Sequence, residues 1–136
     1  MADIRVGVDL ASVSAVSASL MRFGPRYTDR LFTAQELRDS EGTLSALSSS
    51  LAARFAAKEA TLKALRVSDD IPGWTEIEVR RNPGGWCSLQ LSGRAAVLAQ
   101  QAGLDQWSVA LAHEADMAAA VVVATGPDGL ANGQGA

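Results

Sequence analysis

The sequence has 136 residues and a mass of 14.2 kDa, the size of one ordinary domain, and folding at that size withdraws roughly two-thirds of the chain's surface from water. Hydrophobic residues make up 48% and charged ones 20%, a globular balance rather than a disordered one. A formal charge of −3 and a pI near 5.0 argue against general nucleic-acid binding, which needs a cationic surface, and leave room only for a local basic patch.

The one cysteine, Cys87, has no partner for an internal disulfide, which suits a reducing, cytoplasmic setting. Asp3 and Arg5 ahead of the first apolar run do not read as a signal peptide. The longest apolar run, Met117 to Ala124, falls far short of the ~20 residues that span a bilayer.

In chain order, Ile4, Val6, Val8 and Leu10 alternate with Arg5, Gly7 and Asp9, which predicts a strand ending near Asp9. Val13, Val16 and Leu20 stand at helical spacing within Ser12 to Met21, a short helix that Gly24-Pro25 breaks. Thr33-Ala34-Gln35-Glu36 is a capping box that opens a short helix through Arg38. Ser40 to Ser50, rich in serine, reads either as a loop or as the frayed start of the next element. From Ser50 to about Arg66 runs the longest helix, dominated by alanine, with Leu51, Phe55, Leu62 and Leu65 along one side.

The last third reads as sheet with one helix. Thr75, Ile77 and Val79 alternate, Asn82-Pro83-Gly84-Gly85 is turn chemistry, and Cys87, Leu89 and Leu91 alternate again. Gly93 to Ala102 is helical, with Gly103 as its C-terminal cap. Trp107, Val109, Leu111 and His113 share a strand face, Glu114 to Met117 suits a hairpin, and Ala118 to Ala124 makes a buried strand. Residues 125–136 have almost nothing to bury and are expected to form a disordered tail, so the domain spans 1–124. Helices and strands without a regular βαβ rhythm define an α+β class: a small antiparallel sheet packed with one long helix and shorter helices.

The chemistry concentrates on the long helix. At about 100° per residue, Glu59 falls roughly 40° from Phe55, within the apolar side, with Lys63 one turn on. A carboxylate facing a core must be paired, metal-bound or at a cleft; the plainer reading is a surface Glu–Lys pair. Ten of the twelve basic residues are arginine, and both lysines, Lys58 and Lys63, flank Glu59. Asp9 closes an apolar strand on the face that Gly7 leaves uncrowded, where it serves either as a cap or as a ligand. If Asp9 and Glu59 converge beside a lysine and Arg54, two hard oxygen ligands outline a Mg²⁺ phosphoryl-transfer site. His113, the only histidine, is either structural or on a cleft rim. Cys87 reads as a buried, inert thiol. No nucleophile elbow, Walker loop, dinucleotide fingerprint or zinc spacing is present.

Several stretches in order resemble the holo-acyl-carrier-protein synthase family of 4′-phosphopantetheinyl transferases. They are Val6-Gly7-Val8-Asp9-Leu10, Phe32-Thr33-Ala34-Gln35-Glu36-Leu37, the helix Leu51 to Leu65 with Arg54-Phe55-Ala56-Ala57-Lys58-Glu59-Ala60 and Lys63, and Ala112-His113-Glu114 followed by Met117 to Val123. The resemblance implies transfer of phosphopantetheine from coenzyme A to a serine of an apo acyl carrier protein, releasing adenosine 3′,5′-bisphosphate. It further implies a Mg²⁺ on the residues matching Asp9 and Glu59, a homotrimer with its site between subunits, and coenzyme A phosphates at Arg54, Lys63 and His113. On this reading Asp9, Glu59 and Lys63 are catalytic, and the base for the hydroxyl proton is either a metal-held hydroxide or Glu59.

The match also has departures. Ser12 and Ala15 stand where the family usually has Glu and Arg, the latter associated with carrier docking. Arg66-Val67-Ser68 replaces Gly-Thr-Gly, and Ala110-Leu111-Ala112 replaces Ser-x-Ser. Two readings follow: an active transferase for a fatty-acid or polyketide type of carrier, or a non-catalytic coenzyme A- or carrier-binding subunit on the same scaffold.

Overall fold

A computed structural model describes residues 3–127. Five helices and five strands run in the order β1 (Ile4–Ser12), α1 (Val13–Phe23), α2 (Pro25–Leu31), α3 (Ala34–Asp39), α4 (Leu44–Leu65), β2 (Ile77–Arg81), β3 (Cys87–Leu91), α5 (Gly93–Gln101), β4 (Gln106–Glu114) and β5 (Met117–Thr125), with a 3-10 turn at Trp74–Glu76. Strands β1, β5 and β4 form one antiparallel sheet in that order, and β2 and β3 form a separate hairpin. The α+β architecture expected from the sequence is the one observed.

The sheet packs on α4, and small residues let it come close. Ala52, Ala53, Ala56, Ala57, Ala60 and Ala64 on the helix are buried, as are Ala118, Ala120, Val122 and Ala124 on β5. At Gly7 the approach is closest: a Cβ there would sit 1.8 Å from the carbonyl oxygen of Ala60. No side chain fits, so Gly7 is where β1 passes directly beneath the helix.

Strand β1 therefore turns its faces opposite to the usual sense. Gly7 and Asp9 face α4, while Ile4, Val6, Val8 and Leu10 point away from it and are 54–61% exposed. Val121, which pairs with Val8 across the ladder, is exposed as well, and so is Met117, which pairs with Ser12 at the end of the strand. A continuous apolar surface of this kind marks an interaction face.

Boundaries shift where local chemistry outweighs pattern. Strand β1 continues past Asp9 to Ser12, because all nine residues pair with β5. Helix α4 begins at Leu44, capped by Thr43, whose hydroxyl accepts from the Ala46 amide. The serine-rich stretch is thus the helix's first turns. Helix α2, absent from the sequence reading, follows Gly24 with Pro25 in its first turn, a position that proline favours. Thr75 lies in the 3-10 turn, so β2 starts at Ile77. The β4–β5 hairpin is tighter than expected, turning on Ala115 and Asp116, with Ala115 at a φ of 52°. Strand β5 extends to Thr125, one residue into the expected tail; most of that tail, residues 128–136, lies outside the described residues.

Candidate active site

Glu59 and Lys63 sit one turn apart on the side of α4 that overlies β1, and Gly7 lets β1 come near enough for Asp9 to meet them. Lys63 Nζ donates to Asp9 Oδ1 at 3.1 Å and to the Val8 carbonyl at 3.0 Å. The Glu59 carboxyl lies within hydrogen-bonding reach of Asp9. Three of the expected site residues therefore converge.

The electrostatics follow from that crowding. Burial pushes Asp9 up, but hydrogen bonds with Glu59 and Lys63 and the Lys63 charge outweigh it and hold the carboxyl below its ordinary value. The hydrogen bond to Asp9, burial and the Asp9 charge together push Glu59 up to about 7, against the pull of Lys63. Two carboxyls are thus held together over one shared proton. Asp9 Oδ2 is buried without a donor. A divalent cation would supply a positive partner for the Asp9 oxygen that Lys63 leaves unsatisfied and for the Glu59 carboxyl beside it. The residues present fit Mg²⁺, with water and substrate oxygens needed to complete its shell. Among the described residues no cluster of three or more His, Cys, Asp or Glu gathers.

Arg54 and Lys58 do not join this cluster. Arg54 precedes Glu59 by five residues, a rotation of about 140° around the helix. Lys58 is fully buried and donates to Glu36 Oε1 at 2.7 Å, to the Trp74 carbonyl at 2.9 Å and to the Ile77 carbonyl. Glu36 in turn accepts from the amides of Thr33 and Val79, both at 3.0 Å. Lys58 is a tie between α4, α3 and β2, so of the two lysines that flank Glu59 in sequence only Lys63 joins the carboxylates.

Arg54, also buried, lines a cavity of about 490 Å³ with His113, Arg81, Asp39, Ser45 and Ser49. His113 lies near the end of β4 and is exposed at this cavity's rim. Two of the three residues expected at coenzyme A phosphates, Arg54 and His113, therefore share one wall, while the third, Lys63, stands apart from it at the Asp9–Glu59 pair. Cys87 is half-buried and also lines this cavity, which corrects the expectation of a fully buried thiol. Sequence reading missed Arg81 and Ser45 here. They come from a hairpin end and a helix start that become neighbours only through the tertiary fold.

A second cavity, of about 340 Å³, is lined by Phe23, Arg26, Tyr27, Arg30, Leu31 and Trp74. A smaller pocket, of about 200 Å³, shares Tyr27 with it and is lined also by Ser12, Ala15, Phe55 and Leu10, the residue after Asp9. Phe55 and Trp74 rings meet at 5.2 Å, so one aromatic wall joins the two.

This arrangement of antiparallel sheet and long helix is the fold of the holo-acyl-carrier-protein synthases. A coenzyme A complex of the enzyme from Chronobacterium ammoniagenes superposes with a TM-score of 0.78 at 29% identity, over 90% of this chain and 96% of that one. The acyl carrier protein synthase of Mycobacterium tuberculosis does so with a TM-score of 0.72 at 32% identity, over 92% and 100%. In sequence, the holo-[acyl-carrier-protein] synthase of Streptomyces avermitilis is 43% identical over 93% of this chain and all of its own length. The family model of the 4′-phosphopantetheinyl transferase superfamily matches residues 5–122. The chain belongs to that superfamily and is an enzyme of that transferase class.

Proposed function

We propose that this protein transfers 4′-phosphopantetheine from coenzyme A to a serine of an apo acyl carrier protein, releasing adenosine 3′,5′-bisphosphate, as a Mg²⁺-dependent cytoplasmic homotrimer. The observation that carries the reading is the meeting of Asp9, Glu59 and Lys63 at one point beneath α4. Relatives bearing the synthase name support the substrates, and one of them is a coenzyme A complex. Retention of the whole cluster favours an enzyme over a non-catalytic scaffold.

Asp9 and Glu59 would hold the Mg²⁺, which when bound supplies positive charge to the pyrophosphate of coenzyme A. Lys63, 57% exposed at its side chain, offers a further ammonium to the same oxygens as charge builds on them. Its bond to the Val8 carbonyl fixes where that ammonium points. The β-phosphorus is attacked by the carrier serine hydroxyl, whose proton must be accepted. Glu59 is the candidate base on this chain, since its pKa, raised to about 7 without the metal, makes its ionised carboxyl a better proton acceptor than an ordinary carboxylate.

The separation of Arg54 and His113 from the carboxylates supports a site shared between subunits, because the 3′-phosphate and the diphosphate of coenzyme A sit on one ribose and need the two walls brought together. The exposed face of Ile4, Val6, Val8 and Leu10 offers the surface for such an assembly. Sedimentation of the wild type and of Val8→Glu tests it: a trimer that the substitution turns into folded monomer is expected, and a wild-type monomer would refute it. Among the described residues no helix is long and apolar enough to cross a membrane.

Carrier recognition falls to the second cavity. Arg26 and Arg30 are exposed there, and neither has an ion-pair or hydrogen-bond partner among the described residues. An acidic helix with an apolar side chain for the aromatic pocket matches this surface.

The direct test incubates the protein with Mg²⁺, coenzyme A and apo carrier proteins and reads the added phosphopantetheine by mass spectrometry. Transfer by the wild type and none by Glu59→Gln, with folding retained, is expected. Transfer at full rate by Glu59→Gln would refute the metal assignment, and no transfer to any carrier would refute the function.

A further inference from the structure

Asp116, in the turn between β4 and β5, is an exposed carboxylate with both oxygens engaged at one place. Oδ1 accepts from the Ser14 amide at 2.8 Å, and Oδ2 accepts from the Ser14 and Ser12 hydroxyls at 2.8 and 3.0 Å. The Asp116 carbonyl accepts from the Val13 amide at 2.8 Å. Together these bonds clamp the tip of the β4–β5 hairpin to the junction of β1 and α1. No acidic residue occupies the first turn of α1, so Asp116 supplies from another element the negative charge that a helix N-terminus favours. The same donors hold its carboxyl below the ordinary aspartate value, and the clamp stays charged at neutral pH.

The turn that the clamp closes is strained. Ala115 stands at a φ of 52°, a left-handed conformation that is unfavourable for a residue with a Cβ and persists only where the surroundings impose it. Among the described residues no other side chain from Glu114 to Met117 makes a hydrogen bond or ion pair, which leaves Asp116 as the polar tie that imposes it. His113 stands just before this turn. It pairs with Ala118 one step from the end of the ladder, on an edge strand whose partner in the sheet is β5 alone. Its side chain is exposed between two cavities, the one with Arg54 and one of about 530 Å³ lined by Ala112, Glu114, Ala115 and Met117. The sheet thus holds His113 from one side, and the rest of its hold comes through the turn.

We infer that Asp116 is a positioning residue of the transferase: by clamping the hairpin tip to Ser12 and Ser14, it holds His113 where coenzyme A meets it. The inference rests on the function proposed above and on the place of His113 in it. Asp116 acts through His113 rather than on the substrate. Ser12 is one of the positions where this chain departs from the usual glutamate. A glutamate there would replace the donating hydroxyl by a second carboxylate, so the serine is what permits the clamp.

Steady-state kinetics of Asp116→Ala, Asp116→Asn, His113→Ala and the Asp116→Ala/His113→Ala double variant test this, with Tm followed alongside. Asp116→Ala should raise KM for coenzyme A by about fivefold or more, with kcat and the carrier KM within about twofold of wild type. Asp116→Asn, which keeps an acceptor for the Ser14 amide, should recover part of that loss. Because Asp116 acts through His113, adding Asp116→Ala to His113→Ala should raise KM by less than about twofold further. Ala115→Gly in the Asp116→Ala protein should also recover part of the loss, since glycine adopts the left-handed turn without the clamp. Wild-type KM in folded Asp116→Ala, whatever its Tm, or losses that multiply in the double variant, would overturn the inference while transfer by the wild type still upheld the function. Wild-type KM in His113→Ala would overturn it as well, by removing the residue it acts through. A wild-type protein that transfers nothing would overturn both.

Discussion

Lys58 and Glu59 are adjacent in the chain and, about 100° apart around α4, serve different sides of it: the ammonium of Lys58 is sealed against Glu36, and the carboxyl of Glu59 faces Asp9. The first contact fixes the rotation of the helix, and the second uses it. Desolvation pulls Lys58 below its ordinary value, while the charge of Glu36 and its hydrogen bond resist. Removing one partner from a buried pair strands the other charge, at a cost of about 3–5 kcal/mol. Lys58→Met should therefore lose stability on that scale in urea unfolding. Adding Glu36→Gln, which removes the stranded charge and keeps an acceptor for one of the Thr33 and Val79 amides, should recover part of the loss. A Lys58→Met protein as stable as wild type would show that the tie contributes nothing.

Much of this was legible in the sequence, and the failures have physical causes. The Thr33–Glu36 capping box formed as its spacing requires, with Thr33 Oγ1 accepting from the Glu36 amide at 3.1 Å. Glu59 was legible as an inward carboxylate because it falls beside Phe55. The pairing of Lys58 was not, since a lysine between two alanine-rich turns gives no sign of a partner 22 residues earlier. The alternation in β1 marked two faces correctly, but alternation cannot say which one meets the core. Small residues decided it: Gly7 admits the helix, and the four larger apolar side chains are left outside.

The shared proton gives the site a pH signature. Glu59 is raised from 4.5 to about 7, so its favourable contribution is complete below 4.5 and is lost as pH rises through about 7. Asp9 acts oppositely: held below 3.8, it contributes above that value and loses its contribution only in more acid solution. Metal-free protein should therefore lose thermal stability between about pH 4.5 and 7, from the Glu59 contribution. Glu59→Gln should flatten that decline. Mg²⁺ should restore the loss, with the gain in Tm largest at and above pH 7. Identical pH profiles for wild type and Glu59→Gln, each without metal, would contradict the coupled pair.

Gly7 tests how far the site depends on backbone approach. An added methyl would meet a backbone oxygen at 1.8 Å, and a main-chain carbonyl cannot swing aside as a flexible side chain can. Gly7→Ala should push β1 from α4, costing at least about 2–3 kcal/mol as overpacking. Because Asp9 lies two residues on along the same strand face, the variant should also bind Mg²⁺ more weakly than its stability loss alone explains. The comparison is calorimetric Mg²⁺ affinity, measured where both proteins are folded. Wild-type affinity in a destabilised Gly7→Ala protein would separate the close approach from the site.

The α2 surface tests carrier docking apart from catalysis. Ser12 and Ala15 leave the start of α1 without a cation, and the Asp116 carboxylate accepts from the Ser14 amide there, so the cations that line the aromatic pocket are Arg26 and Arg30, one helical turn apart. Both are exposed and make no internal contact to lose, so reversing their charge should leave Tm unchanged. Arg26→Glu with Arg30→Glu should raise KM for an acidic carrier by about tenfold or more, an effect that long-range attraction makes smaller at high salt. KM for coenzyme A should not move, because its phosphates are assigned to other residues. Restored transfer to a carrier whose facing acids are changed to lysine would place the contact on this surface. An unchanged carrier KM in the double variant would show that the carrier approaches from elsewhere.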